Sequence, residues 1–319
     1  MRKIFAAGSI LVDKINGIDA YPKAGELTQI RSLDRVPGGL VPNTGCDIRI
    51  LDPSIPVCAV GAVGDDDEGR FVTAELARTG LDVSGVVVKK NLATSFTEVM
   101  SVAGGERTFF TYPGASAEWG YDDFPFGQVS AGDIVLLGYF LLLAKIDAGD
   151  GVKILRELKA RGVRTAIDLV SENSDRYTLV REALPYVDYL VVNELEAARI
   201  AGESETADSL KLKAIAEKLF ALGVNGRVVI HMPEKGVTLT KDGRWTERPS
   251  PALPAGFIKG KTGAGDAYCA GTLLSIYRGL PDGEILDNGA VAAAGALSAS
   301  GATEGMRTLS ELKNFLNLC

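Results

Sequence analysis

The sequence predicts an α/β fold built on a parallel sheet that is covered on both faces. Three observations carry this. Apolar runs alternate with amphipathic stretches along the chain, the strand-like runs are apolar at nearly every position, and no internal repeat or low-complexity linker interrupts them. A strand that is apolar on both sides needs cover on both sides, and intervening helices supply it. At 319 residues, 46% of them apolar, the chain is long enough for one large unit of this kind.

Taken in order, "MRKIFAAGSILVDKI" pairs basic residues with a short apolar stretch, as a signal peptide does. Its apolar part breaks at Asp13 and Lys14 with no cleavage pattern, so it reads as a first strand. "LTQIRSLDRVPGG" (27–39) reads as β rather than helix. "TSFTEVMSVAGGERTFFTYPG" (94–114) alternates side chains on both sides of Gly104-Gly105, a two-residue hairpin signal. These two segments fall outside the strand–helix rhythm and are expected to pair into a small separate sheet, either an edge ornament or a lid over a cleft.

The rhythm then becomes regular. "DIVLLGYFLLL" (133–143) is a strand, and "DGVKILRELKARG" places Val152, Leu155 and Leu158 on one helical face. There follow "RTAIDLV" (164–170), a helix near 175–184, "DYLVVNE" (188–194), "ELEAARIAG", a longer helix over roughly 206–222, and the strand "RVVIHM".

Composition excludes several functions. The net charge of −7 argues against nucleic acid as a partner, because backbone binding needs clustered Lys and Arg. The longest aliphatic run, Ile134 to Leu143, is too short and interrupted to cross a bilayer. Four cysteines at 46, 58, 269 and 319 lack metal or disulfide spacing, which suits a reducing, cytoplasmic setting. His231 is the only histidine, which excludes a multi-histidine zinc site and any Ser-His-Asp triad that does not use it; it reads as a strand-end residue.

The stretch "PAGFIKGKTGAGDAYCAG" (254–271) reads as two phosphate motifs at once. Ala255 to Thr262 is one glycine short of a P-loop, but Pro249, Pro251 and Pro254 rule out the buried strand that must precede one. Gly263-Ala264-Gly265 opening a helix at about Asp266 is the better anion site, since helix N-termini present free N–H groups and a favourable dipole. Asp266 has two readings here: an N-cap, or a base beside the phosphate cradle with a lowered pKa. Phosphoryl transfer tolerates a weak base, because its loose transition state needs orientation and late proton acceptance.

Here the sequence resembles the ribokinase-like (PfkB) carbohydrate kinases. "TGAGDAYCAG" is similar to that family's C-terminal signature, in which the aspartate is the catalytic base. "GSILVDKI" is similar to its first strand, and "VPGGLVPNTG" to its N-terminal signature. "AVGAVGDDDEGRF", "LARTGLDVSGV", "VVNELEAARIAG" and "VVIHMPEKGVTL" extend the likeness over nearly the whole chain. The resemblance implies a ribokinase-like three-layer sandwich, one domain over 1–319, with a mainly parallel sheet and a small β lid at about 14–38 and 90–113.

For the site it implies Asp266 as base, with Gly263, Ala264 and Gly265 stabilising charge. Asp13, Gly38, Gly39 and Asn43 would hold sugar hydroxyls. Apart from the resemblance, Arg107 on the 94–114 hairpin is a candidate contact to an anionic or polyhydroxylated substrate, or a solvated side chain. Thr262, Gly263, Gly265, Lys235 and Gly236 would bind ATP, and Asn193 with Glu196 would organise Mg²⁺, through water, and the phosphates. By themselves Asn193 and Glu196 also read as a helix capping box. Gly260 replaces a family aspartate that shapes a monovalent-cation site, which puts K⁺ activation in doubt. Pro233 replaces a common glycine, and Asp52-Pro53 a Leu-Gly. The implied activity is transfer of phosphate from ATP to a primary hydroxyl of a sugar such as ribose, fructose or 2-keto-3-deoxygluconate. Alternatives are a nucleoside kinase stacking a base on Phe109, Phe110 or Tyr112, and a sugar-binding regulator without catalysis. A Rossmann dehydrogenase is weaker, as Tyr268 stands where its third glycine belongs. Members of the family often pair through the lid, so a homodimer is open.

Overall fold

The computed structural model describes residues 2–102, 107–171 and 175–316; Gly104-Gly105 and Cys319 lie outside the described residues. Strands occur in the order β1 (Ile4–Ala7), β2 (Leu11–Ile18), β3 (Ile30–Gly38), β4 (Val57–Gly64), β5 (Asp82–Lys89), β6 (Ser95–Val102) and β7 (Arg107–Tyr112). They continue as β8 (Ile134–Phe140), β9 (Arg164–Leu169), β10 (Tyr189–Asn193), β11 (Arg227–His231), β12 (Lys235–Thr240) and β13 (Trp245–Pro249). The helices are α1 (Cys46–Leu51), α2 (Asp67–Thr79), α3 (Gly114–Ala117), α4 (Gly151–Ala160), α5 (Glu194–Ala201), α6 (Ser209–Ala221), α7 (Ala264–Arg278), α8 (Asp282–Leu297) and α9 (Leu309–Phe315).

Nine strands form one sheet in the order β13-β12-β11-β10-β9-β8-β1-β4-β5. All pairings from β5 to β11 are parallel, while β12 and β13 close one edge antiparallel. The apolar strands feed two cores. Ile4, Ala6, Ile134, Leu136 and Val191 face α1, α2, α7 and α8, whereas Phe5, Ala7, Val135, Leu137 and Leu190 face α4, α5 and α6. The result is three layers, as read from the sequence. In α4 the buried Ile154, Leu155 and Leu158 supply the apolar stripe, and burying each contributes about 1.5–3 kcal/mol relative to exposure.

A second sheet has the order β3-β2-β6-β7. It corrects one expectation and refines another. The N-terminal stretch is not one strand, because the chain leaves the main sheet after β1 and β2 joins the small one. Ser9 is the reason: its Oγ accepts from Leu40 N–H at 3.0 Å and its carbonyl accepts from Val41 N–H at 3.2 Å. With its backbone engaged by the 40–41 loop, the ladder ends there. The 27–39 segment and the 94–114 hairpin do share this small sheet, as expected, but not as direct partners: β2 lies between them, antiparallel to β3 and parallel to β6. The helix expected near 175–184 is a 3₁₀ turn over Arg176–Glu182, continued at Leu184–Tyr186. Its buried residues Tyr177, Val180 and Ala183 recur every third position, the period of that tighter helix.

Chain order reverses at β1, with β4 and β5 on one side and β8 to β11 on the other. In open parallel sheets ligands bind beyond the C-terminal strand ends beside such a reversal. Here those ends carry Tyr139 (β8), Asp168 (β9), Asn193 (β10) and His231 (β11), and the N-terminus of α7 points at them.

Candidate active site

Gly263, with φ +77°, is the N-cap of α7, and no side chain caps this helix. A left-handed N-cap suits glycine, and it leaves the first-turn N–H groups facing outward without intrahelical acceptors. Asp266 is therefore not the cap. It sits in the first turn, 8% exposed, and its carboxylate turns inward to three donors. Asn43 Nδ2 donates to Oδ2 at 3.0 Å, Tyr139 Oη to Oδ2 at 2.9 Å, and Thr44 Oγ1 to Oδ1 at 3.2 Å. Burial pushes its pKa up to about 6, with the three hydrogen bonds pulling the other way. This reverses the lowered value expected from the helix terminus: desolvation outweighs the dipole. The outcome is a stronger base than a surface aspartate, still ionised at neutral pH.

Asn43 and Thr44 lie on a wide helical turn, Val41–Gly45, that runs straight into α1, and α1 packs against α7. Gly38 and Gly39 lead into that turn. Gly39 has φ +90°, and a Cβ on Gly38 would lie 2.7 Å from Leu11 Cδ1 and 2.9 Å from Asp13 Cγ. The chain must be bare here for Asp13 to sit against it.

Asp13 is in β2, opposite Val36 of β3 and Thr97 of β6, and Thr97 is opposite Thr111 of β7. The two threonine hydroxyls are 3.2 Å apart. Burial raises the Asp13 pKa to about 6, against a hydrogen bond from Thr97. One rung of the small sheet thus presents a carboxylate and two hydroxyls. Strand alternation also places Phe109 and Arg107 on Asp13's face, but Phe110 and Tyr112 on the other. Tyr112 packs on Phe96 there, ring centroids 5.3 Å apart. Arg107 lies four residues along from Asp13's rung, about 13 Å at strand rise. The structure does not bring it to the Asp13 group.

Asn193 and Glu196 form the capping box of α5: Glu196 N–H donates to Asn193 Oδ1 at 2.8 Å and Asn193 N–H to Glu196 Oε2 at 3.1 Å. Ser171 Oγ donates to Glu196 Oε1 at 2.7 Å. Burial raises the Glu196 pKa to about 7. Its carboxylate lines a cavity of about 160 Å³ together with Asp168, Asn193, Ser171, Tyr139 and Asp266. Burial and the nearby Asp266 charge hold Asp168 well above the usual carboxylate range. Oxygen donors of this kind fit Mg²⁺, which keeps waters and combines one or two carboxylates with substrate phosphates. No group of three or more acidic, His or Cys side chains among the described residues would hold a metal without such help.

A second, largely apolar cleft of about 360 Å³ adjoins the cavity, lined by Met232, Leu253, Ile258, Lys261, Tyr268 and Ala294 among others. The two share Asn193, His231 and Gly265. Gly265, with Asn193 and His231, thus stands where an apolar cleft meets a carboxylate cavity. His231 stacks on Tyr268 at 4.6 Å, and burial lowers its pKa to about 4, so it is neutral packing. Lys235 and Gly236 are not brought to the cleft. The Lys235 ammonium donates to Ser209 Oγ at 2.6 Å and pairs with Glu247 at 2.9 Å, and Gly236 packs beneath the Tyr268 hydroxyl. Thr262 is exposed ahead of Gly263. At Gly260 a Cβ would lie 2.8 Å from Ser300 O and 2.9 Å from Ala299 O, which leaves no room for the aspartate of the family pattern.

Sequence reasoning missed Tyr139, Asp168, Thr44, Thr97 and Thr111. The first two had a signal, since each stands at the C-terminal end of a parallel strand. The threonines had none without the strand register.

A model of the pfkB family carbohydrate kinases matches residues 1–309. Ribokinase of Arabidopsis thaliana is 26% identical over 95% of this chain and 78% of its own. 5-Dehydro-2-deoxygluconokinase of Shouchella clausii (strain KSM-K16) is 26% identical over 97% of this chain and 94% of its own. The structure of Arabidopsis thaliana ribokinase complexed with ribose and ATP matches with a TM-score of 0.85 at 22% identity over 100% of both chains, which shows the shared fold.

Proposed function

The chain belongs to the pfkB family of carbohydrate kinases, and we propose that it transfers the γ-phosphate of ATP to a primary hydroxyl of an uncharged sugar or polyol. The observation that carries this reading is the junction at Gly265, where the apolar cleft and the carboxylate cavity meet one residue from Asp266. A base in the cleft and a triphosphate tail running to the α7 N-terminus would bring the terminal phosphate to the N–H groups of Gly263, Gly265 and Asp266.

Asp13, Asn43 and the Gly38-Gly39 backbone would orient the acceptor, with Thr97 and Thr111 beside Asp13. Asp266 takes the hydroxyl proton as the oxygen bonds to phosphorus and the bond to the ADP oxygen breaks. Glu196 and Asn193 would hold Mg²⁺ through its waters; that ion would neutralise charge on the phosphates. Support for an uncharged acceptor comes from the donors and acceptors around Asp13, all hydroxyl, amide or carboxylate, with Arg107 about 13 Å along the sheet. Gly260 supplies no carboxylate for a monovalent cation, so none is given a role.

We read the four-stranded sheet as a lid whose closure excludes water from the transfer. Its outward face exposes Leu33 and Phe110, which supports pairing of two copies there, to be checked by mass measurement. Among the described residues of this sheet Phe109 is the one aromatic on the acceptor face, which weakens a nucleoside as substrate. The test is ADP release over a panel of ketoses, aldoses, sugar acids and nucleosides, for wild type and Asp266→Asn. One panel member should give Mg²⁺-dependent release that the variant loses by several orders of magnitude. Equal rates in the two proteins would remove Asp266 as base.

A further inference from the structure

We propose that Tyr139, held in a left-handed backbone conformation by Asp168, is a positioning residue that determines which oxygen of Asp266 receives the substrate proton. The inference rests on Asp266 being the base, and it concerns residues outside every family-like stretch quoted above.

Tyr139 has φ +58°, a conformation uncommon for residues other than glycine and one that clusters at functional sites. It falls where the β8–β9 pairing slips, between Leu137 and Phe140. Such irregularities re-aim side chains beside active sites. Asp168 Oδ1 accepts the Tyr139 N–H at 3.0 Å. The next turn is tied down as well: Leu141 N–H donates to Asp147 Oδ1 at 2.8 Å, and Leu142 N–H to the Tyr139 carbonyl at 3.2 Å. The strained conformation is thus over-determined by its neighbours, and its consequence is that the phenol reaches Asp266 across the cleft.

The donor count then decides the geometry. An ionised carboxylate offers about four lone-pair sites, two on each oxygen. Tyr139 and Asn43 both donate to Oδ2, filling it, while Oδ1 takes Thr44 alone. The free acceptor site is the second lone pair of Oδ1. On this geometry the hydroxyl proton goes to Oδ1, the substrate oxygen bonds to the γ-phosphorus, and the phosphorus–oxygen bond to ADP breaks. Without the phenol, Oδ2 has a free site too, the carboxylate can rotate, and the ionised form loses a donor.

The titratable groups facing Asp266 are Asp47 from α1, Tyr139 and Asp168 from the ends of β8 and β9, Glu196 from α5, and Cys269 further along α7. Among these Tyr139 is the one that donates a hydrogen bond to its carboxylate, so it is the one whose loss raises the basicity of Asp266.

The test is the pH dependence of kcat and kcat/KM at saturating Mg·ATP, on the best substrate of the panel, for wild type, Tyr139→Phe, Asp168→Ala, Asp168→Asn and Asp266→Asn. Tyr139→Phe and Asp168→Ala are expected to lower kcat about tenfold and to move the acid limb up by about one pH unit; in Tyr139→Phe the KM for ATP should be unchanged. Asp168→Asn keeps an oxygen for the Tyr139 N–H and should hold the acid limb at its wild-type position, where Asp168→Ala moves it. Tyr139→Phe removes one oxygen atom, so it carries the test alone if Asp168→Ala does not fold. A Tyr139→Phe enzyme with wild-type kcat and acid limb overturns the proposal, even when Asp266→Asn is inactive and the base assignment stands. An active Asp266→Asn enzyme overturns the base assignment and this proposal with it.

Discussion

Asp266 and Asp13 both carry a pKa raised to about 6, and both act as anions in the proposed reaction. At saturating Mg·ATP, with Glu196 already committed to the Mg²⁺ complex, the acid limb of kcat/KM for the sugar should therefore report two protons. With both groups required, the value at pH 5 falls to about 1/120 of its plateau, whereas one required group gives about 1/11. Asp13→Asn should lower the plateau and convert the slope of two into a slope of one. The assay is initial ADP release from pH 5 to 8, at saturating Mg·ATP and limiting sugar. Unfolding at acid pH does not imitate this result through these groups. A carboxyl whose folded pKa is raised contributes stability that is fully present below its unfolded pKa near 3.8 and lost as pH rises through about 6. For the buried Asp266 that loss is on the order of 3 kcal/mol by pH 8, so this group makes the protein firmer where the rate falls. A rate independent of pH down to 5, or a slope of two that persists in Asp13→Asn, refutes the reasoning.

Two other outcomes follow from packing and burial. Gly38→Ala would press a methyl group on Leu11 and Asp13 at 2.7 and 2.9 Å. It should raise the sugar KM at least several-fold and cost about 1–3 kcal/mol of stability; an unchanged KM in sugar titrations would show that Asp13 does not touch the acceptor. Asp47 is fully buried with no hydrogen-bond partner on either oxygen, and burial followed by the Asp266 charge pushes its pKa well above the usual range. Wild type therefore loses stability as pH rises above about 3.9 towards that raised value. Asp47→Asn cannot ionise, so its melting temperature should fall less than wild type's between pH 5 and 8, and an identical fall in both proteins would show that Asp47 does not titrate there.

Much of this molecule could be read along the chain. The apolar runs of β1, β4, β8 and β10 announce strands covered on both faces, because every side chain of such a strand must leave water. Gly263-Ala264-Gly265-Asp266 and the Asn193–Glu196 pair are local too: their meaning depends on helix geometry within four residues, and both stand at helix N-termini as their spacing requires. What the chain does not display is any property made by residues remote in sequence. Tyr139 reaches Asp266 across 127 positions and Asn43 across 223. Thr97 and Thr111 join Asp13 only through strand register. The sign of the Asp266 pKa shift escapes the sequence for the same reason. A helix N-terminus is visible in sequence and lowers a carboxyl's pKa, whereas desolvation is set by everything folded around the group, and here desolvation is the larger effect.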